Sequence, residues 1–119
     1  MAEPCVFCLI VAGAAPATVV REWDDALAFV PLGPVVDGHV LVIPKQHVAD
    51  MAEDPAVSAV AMRAASELAT PPCNIITSAG SEATQSVFHL HLHIVPRRAN
   101  DGLTLPWYSG RGGKGAHHG

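Results

Sequence analysis

The sequence lacks the positive charge that nucleic-acid-binding proteins carry. Only 15% of its 119 residues are charged, and 11 acidic residues outnumber 7 basic ones, so the formal net charge is −4 with the histidines neutral. A protein with this charge has no positive field that would attract nucleic acid non-specifically. We therefore expect no nucleic-acid partner, and a small anionic ligand would have to be bound by local groups.

Long hydrophobic runs and an even number of cysteines are also missing. The longest apolar stretch, residues 6–17, contains Gly13 and Pro16, follows no basic segment and is too short to cross a bilayer. The three cysteines are an odd number and predict no disulfide framework. Since half of the residues are apolar, we expect one globular domain in the cytoplasm, without a membrane segment.

Three histidines that alternate with apolar residues are the most informative feature present. They are His89, His91 and His93, in the stretch His-Leu-His-Leu-His-Ile-Val. Strict alternation predicts a β-strand with the histidines on one face and the apolar side chains facing the core. Neighbouring rings lie about 6–7 Å apart on such a strand, so a proton on one ring disfavours a proton on the next. A neutral ring offers a lone pair that can act as nucleophile, general base or metal ligand.

The rest of the chain predicts an α+β fold. Strands are expected at residues 18–22, 26–30, 39–43 and 74–78, where short apolar runs end at turn or proline signals. One helix is expected after Asp54, a good N-cap followed by Pro55, and it ends before Pro71. Together with the histidine strand, these elements predict a sheet of about five strands and one main helix.

Cys5 and Cys8 form a second motif. Their two-residue spacing lets both sulfurs reach one ion, and a tetrahedral zinc site needs two further nitrogen or sulfur ligands. His47 and His89 are candidates. The alternatives are two inert buried cysteines or a redox pair, although no thioredoxin-type strand, loop and helix surround this motif. Cys73 is expected to be a small core residue.

Two stretches resemble the histidine triad (HIT) family of nucleotide hydrolases and transferases. One runs from Gln85 through the three histidines, and the other is Gly-His-Val-Leu-Val-Ile-Pro-Lys-Gln-His at residues 38–47. The resemblance implies a HIT-like α+β fold with an antiparallel sheet of about five strands, usually paired as a homodimer. We expect the HIT domain to span residues 1–108. The glycine-rich tail at residues 109–119 is expected to be flexible, and its His117 and His118 are expected to be an incidental pair.

The resemblance also implies a reaction. His91 would attack the α-phosphorus of a dinucleoside polyphosphate or nucleoside phosphoramidate, and water would hydrolyse the nucleotidyl-histidine intermediate. The implied catalytic residues are His91, His93, His39, Gln85 and Ser86. The implied substrate-binding residues are Leu32, Ser78, Gln85, Ser86 and His93. A structural zinc is implied on Cys5, Cys8, His47 and His89, and no catalytic metal is required.

The sequence departs from the family pattern near the sugar. Pro31 stands where many members have an acidic residue that hydrogen-bonds the ribose hydroxyls, and Ser78 and Thr84 replace a common asparagine and a common glycine. The phosphate chemistry is unaffected, so the nucleoside is either atypical or held by backbone and shape. The departures also support an alternative function, a non-catalytic zinc-stapled dimer that binds nucleotides or partner proteins.

Several residues have a second interpretation. The triad could instead bind a catalytic metal, although neighbouring positions on one strand face give poor tetrahedral angles. His39 either serves the phosphate site or merely satisfies its turn. Arg97 and Arg98 are either solvated surface charges, the default, or contacts for distal phosphates. Trp107 and Tyr108 belong either to an interface or pocket, or to the core.

Overall fold

An antiparallel sheet of five strands forms the centre of the fold. The computed structural model describes residues 4–111. Its elements are helix α1 (Val6–Val11), strands β1 (Val19–Glu22), β2 (Ala26–Phe29) and β3 (Val40–Pro44), helix α2 (Pro55–Leu68), strand β4 (Cys73–Ile76), a 3-10 turn (Ser81–Ala83) and strand β5 (Leu92–Pro96). The strands lie in the order β1-β2-β3-β5-β4, and neighbouring strands are antiparallel. The predicted α+β class, with about five strands and one main helix, is confirmed.

The two faces of the sheet pack against different partners. Along β2, Ala26 and Ala28 point toward α2, whereas Leu27 and Phe29 point to the opposite face, where α1 lies. Helix α2 can approach the sheet closely because both surfaces carry small residues at their contact. The small residues of α2 are Ala61, Ala64 and Ala65, all buried. The opposite face carries larger side chains together with the histidines.

Helix α2 begins and ends at the predicted signals. Asp54 is its N-cap, and the Asp54 carboxylate accepts a hydrogen bond from the Ala56 N–H at 3.0 Å. Pro55 occupies the first helical position, and the helix ends at Leu68, before Pro71. Within residues 4–111, neither α1 nor α2 has the length and hydropathy of a membrane span.

The triad strand is shorter than the alternation predicts. Strand β5 begins at Leu92, so His89 and His91 precede it, and the prediction of one continuous strand is wrong. The reason lies in the partner strand β3, which ends at Pro44, a residue without an N–H for the ladder. The Pro44 carbonyl instead accepts a hydrogen bond from His89 Nε2–H at 2.8 Å. A side chain thus replaces the backbone pairing that would have continued the strand.

Alternation nevertheless continues through this segment. The Leu90 N–H donates to the Val48 carbonyl at 2.9 Å. Leu90, Leu92 and Ile94 are all buried in the cluster beneath α2. The triad rings lie on the other side, against Phe7 of α1 or against one another. The predicted division of the two faces is confirmed even where the regular strand is absent.

Arg97 is not a solvated surface charge, and the default expectation for it is wrong. Its guanidinium donates to both carboxylate oxygens of Asp101 at 2.7 and 3.1 Å, to Asn74 Oδ1 at 2.6 Å and to the Leu103 carbonyl at 2.7 Å. The Arg97 side chain is only 12% exposed. Hydrogen bonding to Arg97 holds the pKa of the Asp101 carboxyl well below its usual range. Arg97 therefore fastens the segment after β5 to β4, while Arg98 is exposed.

The chain turns back after this ion pair. The Gly102 N–H donates to the Gly110 carbonyl at 2.9 Å. Trp107 is 49% exposed and is therefore not a core residue, while Tyr108 is half-buried. The domain boundary at residue 108 stays a prediction. Residues 112–119, with both tail histidines, lie outside the described residues.

Candidate functional site

The histidine face of the sheet is organised around Phe7 of α1. The buried Phe7 ring makes edge contacts with Phe29, His89 and His91, at centroid distances of 5.4, 5.9 and 5.3 Å. His93 is the next ring in the row, 5.2 Å from His91. The predicted triad is therefore a row of rings in which Phe7 contacts both His89 and His91, and His93 contacts His91.

The hydrogen bonds of His91 define which of its nitrogens is reactive. His91 Nδ1 lies 2.8 Å from the His89 carbonyl oxygen, so Nδ1 carries the proton and donates it. The lone pair is then on Nε2. Thr77 Oγ1 donates to the His91 carbonyl at 2.8 Å and holds the same residue from its other side. Ser78, next in the chain, is half-buried. This is the carbonyl-held tautomer that a nucleophilic imidazole requires.

A relay of two histidines fixes the proton of His93. The Val35 N–H donates to His39 Nδ1 at 3.0 Å, so the proton of a neutral His39 is on Nε2. His39 Nε2–H donates in turn to His93 Nδ1 at 3.0 Å, which leaves His93 with an N–H at Nε2. Burial lowers the pKa of His39. Burial, with smaller effects of His91 and His39, lowers the pKa of His93 to about 4. Both rings are neutral at pH 7, and His39 serves its turn and the triad together.

The Nε2 atoms of His91 and His93 reach solvent. Every buried side-chain nitrogen and oxygen within residues 4–111 has a hydrogen-bond partner. Neither His91 Nε2 nor His93 Nε2 has a partner in this part of the chain, so both atoms are accessible. The site thus presents a lone pair and an N–H donor side by side, which suits attack on a phosphoryl group.

Gln85 organises the loop that precedes the triad. Its Oε1 accepts from the Gly80 N–H at 2.8 Å, and its Nε2 donates to the carbonyls of Ala49 and Val87 at 2.7 and 3.1 Å. Gln85 is 4% exposed, so its amide is engaged with the backbone. Ser86 is exposed, and its hydroxyl has no partner within residues 4–111. Gln85 therefore shapes the loop, and the exposed Ser86 hydroxyl is able to contact a ligand.

An apolar pocket of about 760 Å³ adjoins the triad. Phe7 lies in its wall and touches the His91 ring, and Leu41, also in its wall, is the register partner of His93. Its volume is typical of small-molecule sites, about 300–1,000 Å³. The lining residues are Val6, Phe7, Ile10, Ala15, Pro16, Ala17, Thr18, Phe29, Val30, Pro31, Leu32, Leu41 and Val87. Of these, the sequence predicts only Leu32 for substrate binding. The i,i+4 spacing of Val6 and Ile10 is the sequence signal that could have identified the pocket wall formed by α1.

The four predicted metal ligands come together at the start of α1. Their donor atoms lie within 4.8 Å of one another. His89 Nδ1 lies 3.5 Å from Cys5 Sγ, 3.6 Å from Cys8 Sγ and 3.2 Å from His47 Nδ1, and Cys8 Sγ lies 3.3 Å from His47 Nδ1. Tetrahedral zinc, with bonds of about 2.3 Å to sulfur and 2.0–2.1 Å to nitrogen, separates sulfur and nitrogen ligands by about 3.6 Å and two nitrogens by about 3.3 Å. The cluster therefore has the dimensions of a tetrahedral zinc site.

The protonation of His89 suits a metal ligand. Its Nε2–H donates to the Pro44 carbonyl, which leaves the Nδ1 lone pair facing the cysteines. Burial lowers the pKa of His89 and keeps the ring neutral. The metal would also secure α1, a helix of six residues with one buried side chain, Phe7. A helix of this length is not stable alone. A metal on these four residues would thus also hold in place α1, which forms one wall of the apolar pocket.

The chain is similar to histidine triad proteins of several organisms. The family model described as HIT domain matches residues 12–100. The protein hit of Bacillus subtilis (strain 168) is 38% identical over 116 residues, which cover 89% of this chain and 80% of that protein. Adenylylsulfatase HINT3 of Arabidopsis thaliana is 33% identical over 108 residues, which cover 83% of this chain and 55% of that protein.

A solved structure extends the similarity to the metal. The crystal structure of a zinc-bound histidine triad family protein from Mycobacterium smegmatis matches with a TM-score of 0.72 and 41% identity. The match covers 84% of this chain and 79% of that chain. Possible zinc binding is thus supported by the Cys/His cluster and by a zinc-bound relative.

Proposed function

Because this chain belongs to the HIT domain family, we propose that it is a hydrolase or nucleotidyl transferase that cleaves nucleotides at the α-phosphorus. Its substrates are dinucleoside polyphosphates, nucleoside phosphoramidates and related compounds that join a nucleoside monophosphate to a leaving group. The name of the Arabidopsis relative describes cleavage of one such compound, adenylyl sulfate. The observation that carries the proposal is the hydrogen bond from His91 Nδ1–H to the His89 carbonyl, with Nε2 open to solvent.

The first step forms a bond between His91 Nε2 and phosphorus. The bond from phosphorus to the leaving group breaks, and the leaving group departs with its electron pair, taking a proton from solvent where it is an amine. The ring of the nucleotidyl-histidine is positively charged, and the His89 carbonyl stabilises this charge by accepting the Nδ1–H. His93 Nε2–H donates to a phosphoryl oxygen, where negative charge builds up.

The second step regenerates the enzyme. Water, or another acceptor in a transferase, attacks phosphorus, the bond to His91 breaks, and the ring recovers its neutral form while the water proton passes to solvent. The Ser86 hydroxyl faces the leaving group, and Ser78 and Leu32 contact the substrate. Gln85 acts through the loop that it shapes. The apolar pocket holds the base, since it adjoins the row of rings at Phe7.

The proposed cofactor is one structural zinc ion on Cys5, Cys8, His47 and His89. Four protein ligands would close its coordination, so the metal would hold α1 in place and leave no open position for substrate. Two thiolate ligands suit a reducing compartment, which supports a cytoplasmic location.

The proposed assembly is a homodimer. Strand β4 lies at an edge of the sheet, and its Ile76 is 41% exposed. An apolar residue on an open strand edge is typical of a surface that pairs with another chain. Light scattering after size-exclusion chromatography should give twice the chain mass, and the mass of a single chain would contradict the dimer.

The catalytic proposal is tested by single-turnover mass spectrometry. Wild type and His91→Ala are each mixed with adenosine 5′-phosphoramidate and with diadenosine polyphosphates and then quenched. The mass of the intact protein is measured in each sample. Wild type should carry one nucleotidyl group, and His91→Ala should carry none and lose turnover by about 10⁴-fold or more, because the pathway itself is removed. The matched variant His93→Ala should still form the adduct, more slowly.

Two outcomes would contradict the proposal. Turnover that persists in a clean His91→Ala preparation would exclude His91 as the nucleophile. A wild type that forms neither adduct nor product with any of these compounds, yet binds them, would favour the non-catalytic nucleotide-binding function.

A further inference from the structure

The apolar pocket beside the triad has almost no side chain that can form a hydrogen bond. Of its thirteen lining residues, Thr18 alone has a polar side chain, and none is charged. A group that enters this pocket therefore meets carbon atoms on nearly every side. Such a surface binds flat apolar groups, including the faces of nucleobases, through burial of area and contact.

Several main-chain groups of the pocket are missing or already paired. Pro16 and Pro31 have no N–H. The Val30 N–H and the Thr18 carbonyl are paired with each other at 3.0 Å. Phe29 and Leu41 face each other as register partners in the ladder between β2 and β3. These main-chain groups are therefore absent or engaged, and the side chains of the lining are almost entirely apolar.

We infer that this pocket recognises the nucleoside by shape and apolar contact, so that the 2′- and 3′-hydroxyls of the sugar do not contribute to specificity. The inference rests on the proposed function and adds that its substrates include nucleotides both with and without the sugar hydroxyls. The physical reason is a known asymmetry. A site that hydrogen-bonds a substrate hydroxyl rejects the analogue without it by about 10⁴-fold, because buried polar groups are left unpaired. A pocket whose side chains, apart from Thr18, cannot form such hydrogen bonds leaves none of them unpaired and has no penalty of this kind.

The test compares two substrates that differ only in the sugar hydroxyls. The kcat/KM values of adenosine 5′-phosphoramidate and 2′,3′-dideoxyadenosine 5′-phosphoramidate should agree within about threefold. Wild-type dissociation constants for AMP and 2′,3′-dideoxy-AMP, measured by calorimetry, should agree equally well and do not depend on turnover. A preference above about tenfold for the ribose compounds in either measurement would overturn the inference.

Variants of two pocket residues, Pro31 and Thr18, test whether the sugar binds beside them. Pro31→Asp places a carboxylate in the wall and should create a preference of about 10-fold or more for the ribose compounds, since hydrogen bonds to charged groups contribute about 1.5–3 kcal/mol. Pro31→Leu controls for loss of the proline ring and should leave the ratio unchanged, as should Thr18→Val. An unchanged ratio in Pro31→Asp, or a ratio that Thr18→Val alters, would overturn the assignment of the pocket.

The outcomes separate this inference from the proposed function. Adduct formation on His91 together with a strong ribose preference would refute the inference alone. Absence of adduct and product would refute the catalytic proposal, while the calorimetric comparison of the two monophosphates would still decide the inference.

Discussion

Replacing Cys8 with serine should abolish the proposed zinc binding and lower the melting temperature measured with zinc present by about 10–20 °C. Cys8 Sγ lies 3.3 Å from His47 Nδ1 and 3.6 Å from His89 Nδ1. Its loss leaves three ligands, and a serine hydroxyl does not supply the thiolate that zinc prefers at such a site. The structural consequence is loss of the connection between α1 and the triad segment.

The magnitude follows from linkage. A ligand that binds only the folded chain stabilises it by about 2.7 kcal/mol when its free concentration is 100 times the dissociation constant. For a domain of about 100 residues, each kcal/mol shifts the melting temperature by about 4–8 °C. Burial, with the neighbouring Cys5 as a smaller cause, raises the pKa of the Cys8 thiol, so zinc displaces a proton and its affinity should fall as the pH falls.

The assay combines metal content with thermal unfolding. Elemental analysis should give about one zinc per wild-type chain, and a melting curve recorded with zinc should lie above one recorded with a chelator. Cys73→Ser is the matched control, because Cys73 is also a free cysteine but lies on β4, outside the cluster. It should keep both the zinc and the shift. Zinc that remains in Cys8→Ser, or a wild type without a zinc-dependent shift, would refute the assignment.

Two further predictions concern the triad. The free energy of unfolding should decrease by about 2.5 kcal/mol as the pH falls from about 6.5 to 4. Burial lowers the pKa of folded His93 from 6.5 to about 4, so the unfolded chain takes up the proton first. Urea unfolding should show a smaller pH dependence for His93→Gln than for wild type, and equal dependences would contradict the burial. Thr77→Val should lower kcat about 5–10-fold at similar KM, because the Thr77 hydroxyl donates to the His91 carbonyl at 2.8 Å. In steady-state kinetics, Thr77→Ser should restore the wild-type kcat. A kcat that stays low in Thr77→Ser would leave Thr77 a merely structural residue.

The parts of the fold that the sequence predicts depend on nearby residues. Helix α2 follows from Asp54, Pro55 and Pro71, all of which act within one turn of its ends. The two faces of the sheet follow from alternation, which persists at Leu90 even outside the strand. The metal ligands were implied by family resemblance, and the geometry of the cluster fits them.

The parts that the sequence does not predict depend on distant residues. The start of β5 is set by Pro44 of β3, whose missing N–H ends the hydrogen-bond ladder between the two strands. Pro44 lies far from β5 along the chain. The partners of Arg97 are Asp101, nearby in sequence, and Asn74 on β4, and only the fold brings them together. The apolar pocket combines α1, the segment that follows it and the sheet, so composition alone could not identify it.

The three triad histidines have different hydrogen-bond partners, and these partners support the different roles proposed for them. His89 is fully buried, and its Nε2 and carbonyl are occupied by Pro44 and His91, which leaves only Nδ1, facing the cysteines. His91 donates its proton to that carbonyl and keeps an accessible lone pair. His93 accepts from His39 and keeps an accessible N–H. These contacts support different proposed roles for identical side chains: a metal ligand for His89, a nucleophile for His91 and a hydrogen-bond donor for His93. Each proposed role depends on which nitrogen the neighbouring backbone or ring already occupies. Alternation of the sequence specifies the row, but only the tertiary partners of Nδ1 and Nε2 assign the chemistry within it.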